Sequence, residues 1–229
     1  MNIFAENVLN RSLELQWQTK LHTHNSGLFP VVSVCGPSGA GKTTVATALS
    51  KSYPTYIETI AGNKHLKGFL HGKSDFNAEA NQTWFLRRIA RHIARADPCL
   101  PLVLDQDPAA IVLGYSSVFV EEQKLTDAQY ALLLKRLLII EKKLCEWRCP
   151  RTVLFLDAPA AVLHQRIYQR CGKSHTPPLD WFEFVRNRFV QLFTCFPNAV
   201  AVSTVNHSPE QVIARARSLI KSRVKDLQT

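Results

Sequence analysis

Residues 31–44, VVSVCGPSGAGKTT, restrict what this chain can fold into more than any other stretch. A β-branched apolar run gives way to a glycine-rich turn and then to KTTVATALSKSY, a plausible amphipathic helix. Gly36, Gly41, Lys42 and Thr43 satisfy the spacing G-x-x-x-x-G-K-[ST], in which successive backbone N–H groups and a helix N-terminus close around phosphate. The segment Gly36, Pro37, Ser38, Gly39, Ala40, Gly41, Lys42, Thr43 and Thr44 is therefore the candidate nucleotide-binding loop. Lys42 would reach the β- and γ-phosphates of ATP, and the Thr43 hydroxyl would take a position on Mg2+.

The rest of the chain supplies a matching scaffold. Strand-like runs fall at Val31–Cys35, Tyr56–Thr59, Leu102–Asp105, Val153–Asp157 and Ala199–Ser203. Helical patterns lie between them and after the last, near 42–52, 78–96, 107–120, 126–148, 160–171, 180–195 and 208–225. Two helix starts carry capping boxes, Thr126 with Gln129 and Ser208 with Gln211, the second with Pro209 at the first helical position. Alternating strands and helices imply an α/β fold of three layers, a five-stranded parallel sheet with helices on both faces. Residues 1–29 precede the first core strand and read as an appended helix, leaving 30–229 as one domain.

Composition narrows the partners. No run of eighteen apolar residues exists, so no membrane partner is expected, and the acidic residues of the N-terminus do not suit a secretory signal. Six cysteines without a CxxC pair read as reduced thiols, which suits a cytoplasmic protein. A net charge of +10 invites a nucleic-acid reading, yet no run of five like charges occurs. A positive cleft for nucleotide triphosphates accounts for the excess as well.

Beyond the loop, YPTYIETIAGNKHLKGFLHGKSDFNAEANQTWFLRR resembles a segment of the deoxynucleoside kinase family. There the helix after the loop is followed by a strand ending in Glu (Glu58), a pattern N-x-x-L-x-x-F (Asn63, Leu66, Phe69) and a helix opening on Gln (Gln82). LVLDQDP stands where the family has a strand and a Glu/Asp-Arg-Ser motif, and VLFLDAPAAVLHQRIYQRCGKSHTPPLDWFEF is similar to its strand and arginine-bearing lid. The resemblance covers about Val31 to Phe196 and implies a kinase that moves the γ-phosphate of ATP to a small nucleoside-like acceptor. It also implies that Glu58 accepts the acceptor proton, Asp105 holds magnesium and Gln82 reads a base edge. Arg166 and Arg170, one helical turn apart beside the lid, would clamp the phosphoryl group.

The departures fall on the acceptor side. Gln106 and Asp107 replace the arginine and serine of the motif, and Ile111 stands where the family has an acid that meets the base. Gln106, Asp107 and the helix residues Arg87 and Arg88 are the candidate acceptor contacts in a rewritten pocket. Arg87, Arg91 and Arg95 share one helix stripe, which suits either an anionic acceptor or a solvated outer face. Two other readings stay open: a nucleoside monophosphate kinase of the thymidylate type, and a non-catalytic nucleotide-binding protein.

Segment 126–148 carries Tyr130, Leu133, Leu137, Ile140, Leu144 and Trp147 as one apolar seam, with Leu134, Leu138 and Ile139 beside it. A helix apolar on two sides must bury both. The resemblance implies that a second copy covers the extra side in a homodimer. The alternative is that residues 1–29 fold back over it through Ile3, Phe4, Val8, Leu9 and Leu13.

Overall fold

The computed structural model describes residues 8–23, 30–66, 76–97, 99–147, 151–172 and 176–226. Phe69, Ile3 and Phe4 lie outside the described residues. Strands β1 (Val31–Cys35), β2 (Thr55–Tyr56), β3 (Leu102–Asp105), β4 (Arg151–Asp157) and β5 (Ala199–Ser203) form one parallel sheet in the order β2-β3-β1-β4-β5. Side chains alternate between its two faces, as a strand period of two requires. Val31, Leu102, Leu104, Val153 and Phe155 enter one apolar cluster, while Val32, Val34, Val103, Leu154 and Leu156 enter the other.

Helices α2 (Lys42–Leu49), α6 (Ala160–Cys171) and α8 (Pro209–Asp226) build the second cluster. Helices α1 (Val8–Thr23), α3 (Ala78–Arg95), α5 (Asp127–Trp147) and α7 (Leu179–Phe193) build the first. Both capping boxes form: Gln129 N–H donates to Thr126 Oγ1 at 3.3 Å and Gln211 N–H to Ser208 Oγ at 3.3 Å. The strand order reverses on either side of β1, which carries the glycine-rich loop, so the loop opens at the switch point where ligands of parallel sheets bind.

Three local features depart from the sequence-based expectation. The strand expected at Tyr56–Thr59 is the two-residue β2, because its sole neighbour β3 stops at Asp105. Past Tyr56 the chain has no ladder left to join, and the Glu58 N–H donates to the Asp105 carboxylate instead, at 3.2 Å. The helix expected over 107–120 contains a π-helical turn, Ala110–Ser116, before the short α4 (Ser117–Glu121). Hydroxyls occupy carbonyls within that turn: Ser116 donates to Ile111 O at 2.9 Å and Ser117 to Leu113 O at 2.7 Å. Gly114 lets Phe189 pack against the turn, since a Cβ there would stand 2.8 Å from the Phe189 ring.

The third feature concerns the extra apolar side of α5. Helix α1 packs along α5 and buries Leu13 and Trp17 against it, with Trp17 only 1 % exposed. Leu134 is fully buried within the single chain, whereas Leu138 is half-buried and Ile139 exposed, so α1 covers only part of the extra apolar side. Leu9 is exposed, and the α1 contact is partly polar. Tyr130 Oη donates to Glu14 at 2.8 Å, and Trp17 Nε1 donates to Glu141 at 3.1 Å. Glu141 also accepts from Arg151 at 2.8 Å, which pairs that buried acid with a cation. Leu132 and Ile139 remain exposed on the outer face of α5. No helix among the described residues is long and apolar enough to cross a membrane.

Candidate active site

The glycine-rich loop adopts a shape that side chains at two of its positions would prevent. Gly36 has φ 150°, and a Cβ there would sit 2.4 Å from the Leu156 carbonyl oxygen. Gly39 has φ 86° and lies close under α6, with Leu163 O 2.9 Å from where its Cβ would be. Helix α2 starts with no side-chain cap and no acidic residue in its first turn, so its leading N–H groups and positive dipole end are left for an anion. Lys42 arches over the loop, its Nζ donating to Pro37 O at 3.0 Å.

Two carboxyls stand at the C-terminal edge of the sheet beside Lys42. Burial pushes Glu58 up from 4.5 to about 7; Lys42 opposes that shift and Asp105 adds to it. Burial also raises Asp105, against Lys42, the Thr43 hydroxyl and the Glu58 N–H. Asp105 Oδ1 is buried without a hydrogen-bond partner, so it keeps a free capacity to accept. The loop, Lys42, Thr43 and Glu58 line a cavity of about 880 Å³.

The lid arginines divide. Arg166 is tied down, donating to Gly39 O at 3.2 Å, Thr204 Oγ1 at 2.9 Å and Thr204 O at 2.9 Å, so it fastens α6 to the loop and to the β5–α8 connection. Arg170 is exposed at the cavity wall, where it can reach a ligand. His207, on the same connection, lines the cavity and bonds Ser203 O through Nδ1 at 2.9 Å.

The other end of the cavity is walled by Asn81, Gln82, Phe85, Ile111, Tyr115 and Phe119. Gln82 therefore lines the same cavity as Lys42 and Glu58. Asn81 is held by Asn63, whose Nδ2 donates to Asn81 Oδ1 at 2.8 Å, while Asn63 Oδ1 accepts from the backbone N–H of His65 and Leu66. Asn81, Phe85, Tyr115, Phe119 and His207 were not singled out from the sequence. Helical periodicity offered Asn81 and Phe85, since they flank Gln82 on the inner face; nothing local announced the π-turn that presents Tyr115.

Four expected acceptor contacts do not line this cavity. Asp107 spends both oxygens internally: Oδ1 accepts from Ala109 N–H at 2.8 Å, and Oδ2 accepts from Ser33 Oγ at 2.7 Å with Arg151 3.5 Å away. It is a helix N-cap sealed in the core. Gln106 is buried in a left-handed conformation (φ 83°), its N–H donating to Val34 O at 3.0 Å. Arg87 is exposed on the outer face of α3, as are Arg91 and Arg95, because the inner face is filled by Leu86, Ile89 and Ile93. Arg88 lies 4.8 Å over the Trp84 ring.

A phosphate loop at the switch point of a five-stranded parallel sheet, with Glu58 and Arg170 lining one cavity and Asp105 buried beside Lys42, defines the class of P-loop kinases. Residues 32–227 match the family described as deoxynucleoside kinase, and the chain belongs to that family. Compared with individual curated proteins, the sequence matches none. Among solved structures, deoxyadenosine kinase from M. mycoides with dCMP and dCDP bound is similar at TM-score 0.66 and 14% identity, over 84% of this chain and 98% of that one. The same enzyme with dATP matches at TM-score 0.66 and 16% identity, over 82% and 98%. YorR protein from Bacillus subtilis, in complex with phosphorylated GDP, matches at TM-score 0.53 and 16% identity, over 83% and 95%.

Proposed function

We propose that this kinase moves the γ-phosphoryl group of ATP to a hydroxyl of a neutral nucleoside. The observation that carries the reading is the convergence of Lys42, Glu58 and the Gln82 wall on one cavity. The loop and Lys42 hold the donor phosphates; Glu58 takes the proton of the acceptor hydroxyl; Arg170 meets the phosphoryl oxygens, whose charge is spread in transit. Thr43 and Asp105 would hold Mg2+, which supplies charge neutralisation across the β- and γ-phosphates. Gln82 offers one amide donor and one acceptor to a base edge, between Phe85 and Ile111, which gives the base apolar contact.

An acceptor that already bears phosphate is less well served. Among the described residues, no lysine or arginine belongs to the acceptor wall, and the arginine stripe of α3 points to solvent. That favours a nucleoside over a nucleoside monophosphate. A panel of nucleosides and monophosphates assayed for ATP consumption tests it: turnover with deoxynucleosides is expected. Turnover confined to monophosphates would establish the other kinase class, and none with any acceptor would leave only nucleotide binding.

Asp105→Asn keeps the shape and the acceptor for the Glu58 N–H but removes the charge. It is expected to raise the magnesium concentration for half-maximal rate about 10–100-fold, read from a metal titration at fixed ATP. The covered side of α5 also bears on assembly. With α1 seated there, light scattering at micromolar concentration should give a mass near 25.9 kDa. Twice that mass would mean that the part of α5 left exposed, with Leu132 and Ile139, joins two copies.

A further inference from the structure

The donor and acceptor halves of the cavity meet at a contact that the reaction as described does not use. The Tyr115 hydroxyl, presented by the π-turn, lies 3.1 Å from the hydroxyl of Ser38, the third residue of the phosphate loop. Both residues line the cavity. The Tyr115 ring is fixed edge-to-face against Phe189, with centroids 5.0 Å apart. Its phenol feels the charges of both Lys42 and Glu58, so it stands within the field of the groups that flank the reaction.

Two hydroxyls carry two protons, and the bond between them uses one. The other O–H is left to donate, in a cavity that the phosphate loop also lines. Packing alone does not call for this arrangement: phenylalanine would fill the ring's place, and a half-buried hydroxyl pair with an unused donor costs free energy until something accepts from it. Burial raises the phenol, so near neutral pH it keeps its proton and acts as a donor.

We propose that Tyr115 and Ser38 form a paired hydroxyl clamp that donates a hydrogen bond to the phosphoryl group in transit. It rests on the phosphotransfer reading above, and it supplies a neutral donor to the acceptor wall, which no lysine or arginine among the described residues lines. The phenol proton stays on oxygen throughout; the contact strengthens as charge spreads over the phosphoryl oxygens. Tyr115 also couples the acceptor wall to the loop, so a seated acceptor and a seated donor share one set of contacts.

Tyr115→Phe, Ser38→Ala and the double variant test the clamp by turnover and by calorimetric affinity for ADP alone and for ADP with aluminium fluoride, a mimic of the transferring group. Tyr115→Phe is expected to lower kcat about 10–100-fold, with ADP affinity unchanged and affinity for the fluoride complex reduced by a similar factor. The double variant should be no worse than Tyr115→Phe alone, since the two hydroxyls act as a unit. Wild-type affinity for the fluoride complex in Tyr115→Phe overturns the clamp. So does an equal loss of ADP affinity, which would mean that the loop had merely been distorted. The fluoride measurement needs no turnover, so a wild-type enzyme silent on every acceptor would sink the phosphotransfer reading and still decide the clamp.

Discussion

Glu58→Gln is expected to lower turnover by about two to four orders of magnitude while leaving ATP affinity intact. The amide keeps the size and the hydrogen-bonding outline of the side chain and loses only the capacity to take a proton. The pH profile carries the same information. Burial beside Asp105 holds Glu58 at about 7, so the ionised, proton-accepting form is gained as pH rises through that value. The wild-type rate should therefore fall towards acid below about 7, and the residual rate of the amide variant should lose that limb. Stability runs in the opposite direction. Glu58 and Glu14 are both raised from 4.5 to about 7 in the folded chain, so the stabilisation their neutral forms provide is fully present below pH 4.5 and is lost as pH climbs through 7. The Glu58→Gln enzyme should then be no less stable than wild type at pH 8. A variant that keeps the wild-type rate and profile would mean that the proton leaves by another route.

What the sequence disclosed and what it hid divide along physical lines. The phosphate loop, the strands β1, β3 and β5 and both capping boxes depend on residues within a few positions of one another, and all were legible. The length of β2 depends on where β3 stops, which is a property of a different segment. The π-turn packs its Gly114 against Phe189, a contact between residues far apart in the chain. Asp107 illustrates a further limit. Its position beside a family motif suggested the acceptor, yet Ser33 and Ala109 claim both its oxygens, and only the fold brings Ser33 there. Helix α1 shows the reverse case. Glu14 and Glu141 are acids, yet each is buried where a phenol, an indole or a guanidinium from another element meets it. Hydrophobic periodicity cannot announce such pairs, because it counts an acid as a vote for solvent.

Replacing Lys42 by alanine should have the largest effect of all: turnover below about a thousandth of wild type, with ATP affinity weakened about 10–100-fold. Lys42 is the loop's own cation, and the lid cannot substitute for it. Arg166 is committed to Thr204 and to Gly39 O, and Arg170 belongs to α6 rather than to the loop. The fold should survive, since the lysine gives up one bond, to Pro37 O, and a desolvated charge leaves with it. A melting temperature close to wild type is the control that separates lost chemistry from lost structure. A second consequence follows from electrostatics. Lys42 holds down the affinity of both Glu58 and Asp105 for protons, so its removal should move whatever acid limb survives to a pH above the wild-type value of about 7. Near wild-type turnover in Lys42→Ala would mean that the donor phosphates bind elsewhere. Lost turnover with an unmoved acid limb would instead detach Lys42 from Glu58 and leave the proton acceptor to be found among other groups at the sheet edge.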